Sequence, residues 1–85
     1  MAKDDRDVDR TYSDTDAVAK LRRLADALES GRPFRIQVAG ERIRVPRGAR
    51  FSVEHERTGD VEEIELQLSW TRAAADEDAA GDAVV

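Results

Sequence analysis

Apolar side chains recur with two different periods along this chain. Over residues 13 to 31 the spacing is helical: Val18, Leu21, Ala25 and Leu28 fall at i, i+3, i+7 and i+10, with Ala17 and Leu24 widening the stripe. Ser13, Asp14 or Thr15 can cap the first turn, and Asp16 suits the positive end of the helix dipole. Gly31 is placed for the left-handed position after the last turn, and Pro33 prevents continuation. The pattern predicts one amphipathic helix.

From Phe34 onward the period is two. In PFRIQVAGERIRVP the apolar positions are Phe34, Ile36 and Val38, then Ile43 and Val45. A two-residue turn at Gly40-Glu41 pairs Val38 with Ile43 and Ile36 with Val45, so every pair faces one side. PRGAR, residues 46 to 50, makes the next turn. In FSVEHER, Phe51, Val53 and His55 share one face. A turn at Gly59-Asp60 leads into VEEIELQLSW, where Ile64, Leu66, Leu68 and Trp70 alternate with Glu63, Glu65, Gln67 and Ser69. That turn sets His55 opposite Ile64, Val53 opposite Leu66 and Phe51 opposite Leu68, with Glu54 facing Glu65 and Glu56 facing Glu63.

These elements predict an α+β fold in which one N-terminal helix packs on one face of a four-stranded antiparallel meander, order 1-2-3-4. The expected core is Val18, Leu21, Leu24, Ala25 and Leu28 from the helix against Phe34, Ile36, Val38, Ile43, Val45, Phe51, Val53, Ile64, Leu66 and Leu68 from the strands. Residues 1–13 read as a disordered acidic arm, 14–71 as the folded unit, and 72–85 as a disordered Ala/Asp-rich tail. A core of this size leaves little surplus over chain entropy, which favours self-association.

The charge is segregated. Residues 1–19 carry −3, residues 20–50 carry +6, and residues 51–85 carry −8. Twelve of the fourteen cations are arginine. An acidic, lysine-poor chain fits a protein of a salt-loving archaeon. The sequence has no cysteine, which excludes disulfides and thiol chemistry, and no apolar run long enough to span a bilayer. A cytoplasmic location is expected.

With these residues in view, the chain resembles the amphi-Trp domain family, small and mainly haloarchaeal proteins named for an amphipathic closing strand ending in tryptophan. The resemblance rests on the helix VAKLRRLADALESG, the hairpin IQVAGERIRVP, FSVEHER and the closing IELQLSW, and covers about residues 13 to 70. It implies the fold above, with no established activity and no catalytic or cofactor residues.

On the outward face of the sheet, strands 1 and 2 present Arg35, Gln37, Arg42 and Arg44, while strands 3 and 4 present Glu54, Glu56, Glu63 and Glu65. Like charges directly across an antiparallel pair cost some tenths of a kcal/mol up to about 1 kcal/mol, which Arg42 and Arg44 on the next strand would partly relieve. Such rows are most often solvated surface; they could also meet a protein partner or a second copy of the chain, while flat carboxylates without a cage suit Ca2+ or Mg2+ poorly. Trp70 belongs to the apolar face but lies beyond the last strand pair, near Pro46 and Ala49. It either closes the end of the core or anchors a partner.

Catalysis has no constellation to rest on. His55, the single histidine, falls on the inward face, and no nucleophile set, phosphate loop or metal-ligand spacing occurs. No cofactor is expected. The sequence therefore reads as a small non-enzymatic protein-interaction or self-association domain. Its candidate contacts are Trp70, Arg35, Arg42, Arg44, Glu54, Glu56, Glu63 and Glu65. The alternative is a nucleic-acid-associated or regulatory accessory protein using the arginine cluster of residues 22–50, with Arg22, Arg23, Arg47 and Arg50 on phosphates. Acidity overall and the lack of exposed stacking aromatics weigh against it.

Overall fold

The computed structural model describes residues 5–72 and 83–85. Its elements are α1 (Asp14–Ser30), β1 (Phe34–Val38), β2 (Glu41–Val45), β3 (Arg50–Thr58) and β4 (Val61–Ser69). The Ser13 hydroxyl caps α1 by accepting from the Asp16 N–H at 3.2 Å, with Asp14 and Asp16 in the first turn. At the other end Gly31 takes φ 70° and returns its N–H to the Leu28 carbonyl at 3.2 Å. Among the described residues the fold is α+β, with α1 and four strands.

The strands form two separate antiparallel ribbons, β1–β2 and β3–β4, where a continuous meander was expected. β2 and β3 do not pair. Pro46 ends β2 without an N–H to donate, and the turn through Gly48, at φ 84°, turns the longer third strand away.

In the β3–β4 ribbon the register is the expected one throughout, from Phe51 opposite Leu68 to Arg57 opposite Glu62. The first ribbon differs. Its turn is Ala39-Gly40, with φ 49° and 86°, so that Val38 faces Glu41, Ile36 faces Ile43 and Phe34 faces Val45. Two positive φ values mark a type I′ turn, whose twist matches that of the flanking strands. The slip from the expected pairing is two residues, so the same residues stay on the same face.

The core is smaller than the pattern predicted. Among the described residues it is Ala27, Phe34, Val45 and Val85, with Leu24, Ile36, Ala49, Leu68 and Trp70 packed partly against it. α1 meets it through Ala17, Lys20, Leu24 and Ala27. The predicted stripe lies about a quarter of a turn round the helix and faces outward, leaving Val18 45%, Leu21 50% and Leu28 40% exposed. Two stripes compete on this helix. The inner one wins because small alanines let the helix approach β1–β2 closely, and because the Lys20 stem can bury while its ammonium finds carbonyls.

Residues 83–85 extend the small sheet. Arg35 and Val84 form a parallel bridge, with the Arg35 N–H donating to the Ala83 carbonyl, the Gln37 N–H to that of Val85, and the Val85 N–H to that of Arg35, at 2.7 to 3.0 Å. The Val85 side chain is buried. These residues fall in segment 72–85, which the sequence predicts as a disordered tail; residues 73–82 of that segment, and 1–4 of the N-terminal arm, lie outside the described residues. Within the arm, Arg6 holds Glu41 through paired side-chain bonds, and Tyr12 lies beneath Arg10 and Lys20, at 4.9 and 5.4 Å from its ring centre.

Candidate functional site

The β3–β4 ribbon stands in solvent on both faces. Along its eighteen positions only Ser52 and Leu68 are even half-buried. One face is apolar, with Phe51 46%, Val53 60%, Ile64 62% and Leu66 53% exposed. Toward the tip this face ends in a polar knot, where His55 Nε2 lies 2.7 Å from Glu62 Oε2 and Arg57 Nε donates to the same oxygen at 3.2 Å. His55 does stand opposite Ile64, but it is exposed and within hydrogen-bond distance of Glu62, not at the edge of a core.

The opposite face carries Glu54 across from Glu65 and Glu56 across from Glu63. Gln67 Nε2 bridges the first pair, donating to Glu54 Oε1 at 3.2 Å and Glu65 Oε1 at 3.5 Å. Partial desolvation, followed by the Glu54 carboxylate alongside and the charges of Glu63 and Glu56, raises the Glu65 pKa. The relief expected from Arg42 and Arg44 is missing. With β2 and β3 unpaired, neither arginine bonds one of these carboxylates.

The β1–β2 ribbon has the mirror-image problem. Arg35 faces Arg44, and Gln37 faces Arg42. Nε and Nη2 of Arg44 are buried with no hydrogen-bond partner. A guanidinium carries five donors and no acceptor, so a carboxylate is its natural complement.

Trp70 sits half-buried where β4 ends, packed with Leu68 and Ala49 against the buried cluster, and so roots the ribbon in the body. Arg22, Arg23, Arg47 and Arg50 are exposed but do not share one recess. Arg23 lines a cleft with Arg10, Tyr12 and Lys20, whereas Arg47 lines another with Leu28, Pro46 and Ala49. Among the described residues no group of three or more His, Asp or Glu is placed to hold a metal ion, and no helix is long and apolar enough to cross a membrane.

Sequence reasoning missed the seat of Val85. The Lys20 ammonium donates to the Gln37 carbonyl at 2.8 Å and the Val85 carbonyl at 3.0 Å. The one trace of this in the sequence is the apolar pair Val84-Val85 after a long Ala/Asp run, too short to show a period.

An acid-faced amphipathic ribbon rooted by a tryptophan beside one capped helix defines a small α+β domain type. The chain belongs to the amphi-Trp domain family, whose model matches residues 4–85 and so extends past the strands at both ends. No curated protein and no solved structure matches the chain.

Proposed function

We propose that this chain is a small non-catalytic protein-interaction domain whose contact surface is the β3–β4 ribbon with its Trp70 root. The observation that carries the reading is the open apolar face of Phe51, Val53, Ile64 and Leu66, backed by a face of four glutamates. An isolated two-stranded ribbon is marginal in water, and a contiguous apolar patch left open marks an interaction site. The flanking charges supply steering and register, and the apolar strip supplies affinity. The four-stranded layer of order 1-2-3-4 belongs to the bound state, in which β3 finds a strand to pair with. A cytoplasmic location in a salt-loving cell belongs to the same reading, supported by the cysteine-free, arginine-rich and acidic sequence.

Sedimentation of the fluorescently labelled full chain in clarified cell extract tests this. The wild type should travel in a complex, and the double variant Ile64→Lys, Leu66→Lys as a free 9.5 kDa chain. Both positions are exposed, so the variant should keep its circular-dichroism spectrum. Identical sedimentation of the two proteins would remove the reading.

A further inference from the structure

The flanks of α1 show where a missing element fits. One flank, through Arg23, Asp26 and Ser30, borders Ala83 and Val85 on the outer side of β1. On the other flank Leu28 borders Val45 and Pro46 at the end of β2. The open stripe of Val18, Leu21 and Leu28 therefore overhangs β2, a strand that pairs with β1 alone. The edge of β1 is already covered by residues 83–85. Among the described residues, the space beside β2 and under the open stripe is a vacancy bounded by an unpaired strand edge and an apolar helix flank. Arg6 holds Glu41 at its corner.

What fits such a vacancy is a two-stranded ribbon with one apolar face, and this chain carries one. The matching extends to charge. Residues 31–49 hold five arginines against one glutamate, +4, and residues 50–69 hold two arginines against six acids, −4. A register that sets Phe51 and Val53 on the same side as Ile43 and Val45 also sets Glu54 and Glu56 on the side of Arg42 and Arg44, because the side-chain period in a sheet is two. The glutamate rows then lie alongside Arg42 and Arg44 and gain the cations they lack.

We infer that the occupant is a second copy of this chain: two copies exchange β3–β4 ribbons reciprocally, β3 of each lying along β2 of the other with its apolar face beneath the other's α1 stripe. This rests on the interaction reading and names its partner. Exchange of identical elements about a two-fold axis lets both vacancies fill at once. The ribbon's own root favours the exchange over folding back, since Leu68, Trp70 and Ala49 are held against the core and only Pro46 to Ala49 separates β2 from β3. A nine-residue ribbon is about 30 Å long and about 10 Å wide, so two exchanged faces with their matching surfaces bury on the order of 1,200 Å2, enough for a stable interface.

The test uses the purified full chain in an ultracentrifuge with charge-reversed partners. The wild type should sediment at twice 9.5 kDa. Arg42→Glu alone and Glu54→Arg alone should each weaken the dimer about tenfold or more by placing like charges together. Mixing the two variants should restore a heterodimer of near wild-type affinity, since one contact is then swapped in sign and the other is native. Failure of the mixture to recover overturns the exchange. Because the chain has no cysteine, Leu28→Cys with Leu66→Cys gives a second readout. Cross-links between chains support the exchange, and cross-links within one chain overturn it together with the interaction reading, the face being covered from inside. A wild-type monomer without either cross-link overturns the second copy alone and leaves a different protein partner as the occupant.

Discussion

Lys20 and Val85, 65 positions apart, are joined by a 3.0 Å hydrogen bond from the Lys20 ammonium to the Val85 backbone oxygen, and the same ammonium reaches the Gln37 oxygen at 2.8 Å. One side chain thus pins helix, central strand and terminal segment together. Lys20→Met keeps the aliphatic stem and loses both bonds, and should cost about 1–3 kcal/mol, the scale for charged hydrogen bonds in a half-buried site. Val85→Ala should cost about 1–3 kcal/mol through lost burial and the space left behind. Urea unfolding followed by circular dichroism reads both.

The division between a small core and an open ribbon predicts opposite behaviour for two aliphatic truncations. Val45 is 1% exposed and Leu66 is 53% exposed. Val45→Ala should lower stability by about 1–3 kcal/mol at protein concentrations where the chain is monomeric. Under the same conditions Leu66→Ala should change it by less than about 0.5 kcal/mol, while shifting the concentration dependence of assembly. Equal losses in the monomer would show that the ribbon's apolar face is already covered.

Ala39 holds φ 49°, a left-handed conformation that its Cβ disfavours. Glycine removes that clash at the cost of greater freedom in the unfolded chain. Ala39→Gly should therefore stabilise the first hairpin, by about 0.5 kcal/mol net. A raised melting temperature with an unchanged spectrum is the expected outcome.

The pH dependence of stability should carry two opposed contributions. The Glu65 pKa is raised in the folded chain above its ordinary 4.5, by desolvation first and then by the carboxylates of Glu54, Glu63 and Glu56. Its contribution is fully present below 4.5 and is lost as pH rises through the folded value. Glu41 is shifted the other way, because Arg6 bonds and attracts its carboxylate. Its contribution is present above 4.5 and is lost as pH falls through the folded value. Glu65→Gln should accordingly stabilise the chain at neutral pH and have less effect in acid, and Glu41→Gln should destabilise it at neutral pH only. Both pairs are exposed, so molar salt should shrink both effects. Denaturant midpoints across a pH series check the signs.

The helix and its caps, the faces of all four strands and the whole β3–β4 register could be read in the sequence, because each is fixed by local spacing and turn chemistry. Beyond the two-residue slip of the first hairpin, whose turn falls at Ala39-Gly40, three things could not. The inward face of α1 depends on whether Leu24 or Leu21 meets β1, and the stripes differ too little in composition to decide; the close approach allowed by Ala17 and Ala27 does decide. The separation of β2 from β3 depends on the path taken by Pro46 to Ala49, whose residues announce a turn but not its direction. The seat of Val85 depends on contacts made from the far end of the chain, and three residues carry no period. Among the candidate contacts, the glutamate and arginine rows were found on their faces, but their separation followed from the unpaired strands and was invisible in the pattern.

Val85 in the interior also bears on how the body consolidates. The helix and both hairpins close through local contacts, whereas the hydrophobic centre lacks a wall until Val85 docks. The slowest step in refolding should be the long-range closure that brings residues 83–85 to β1.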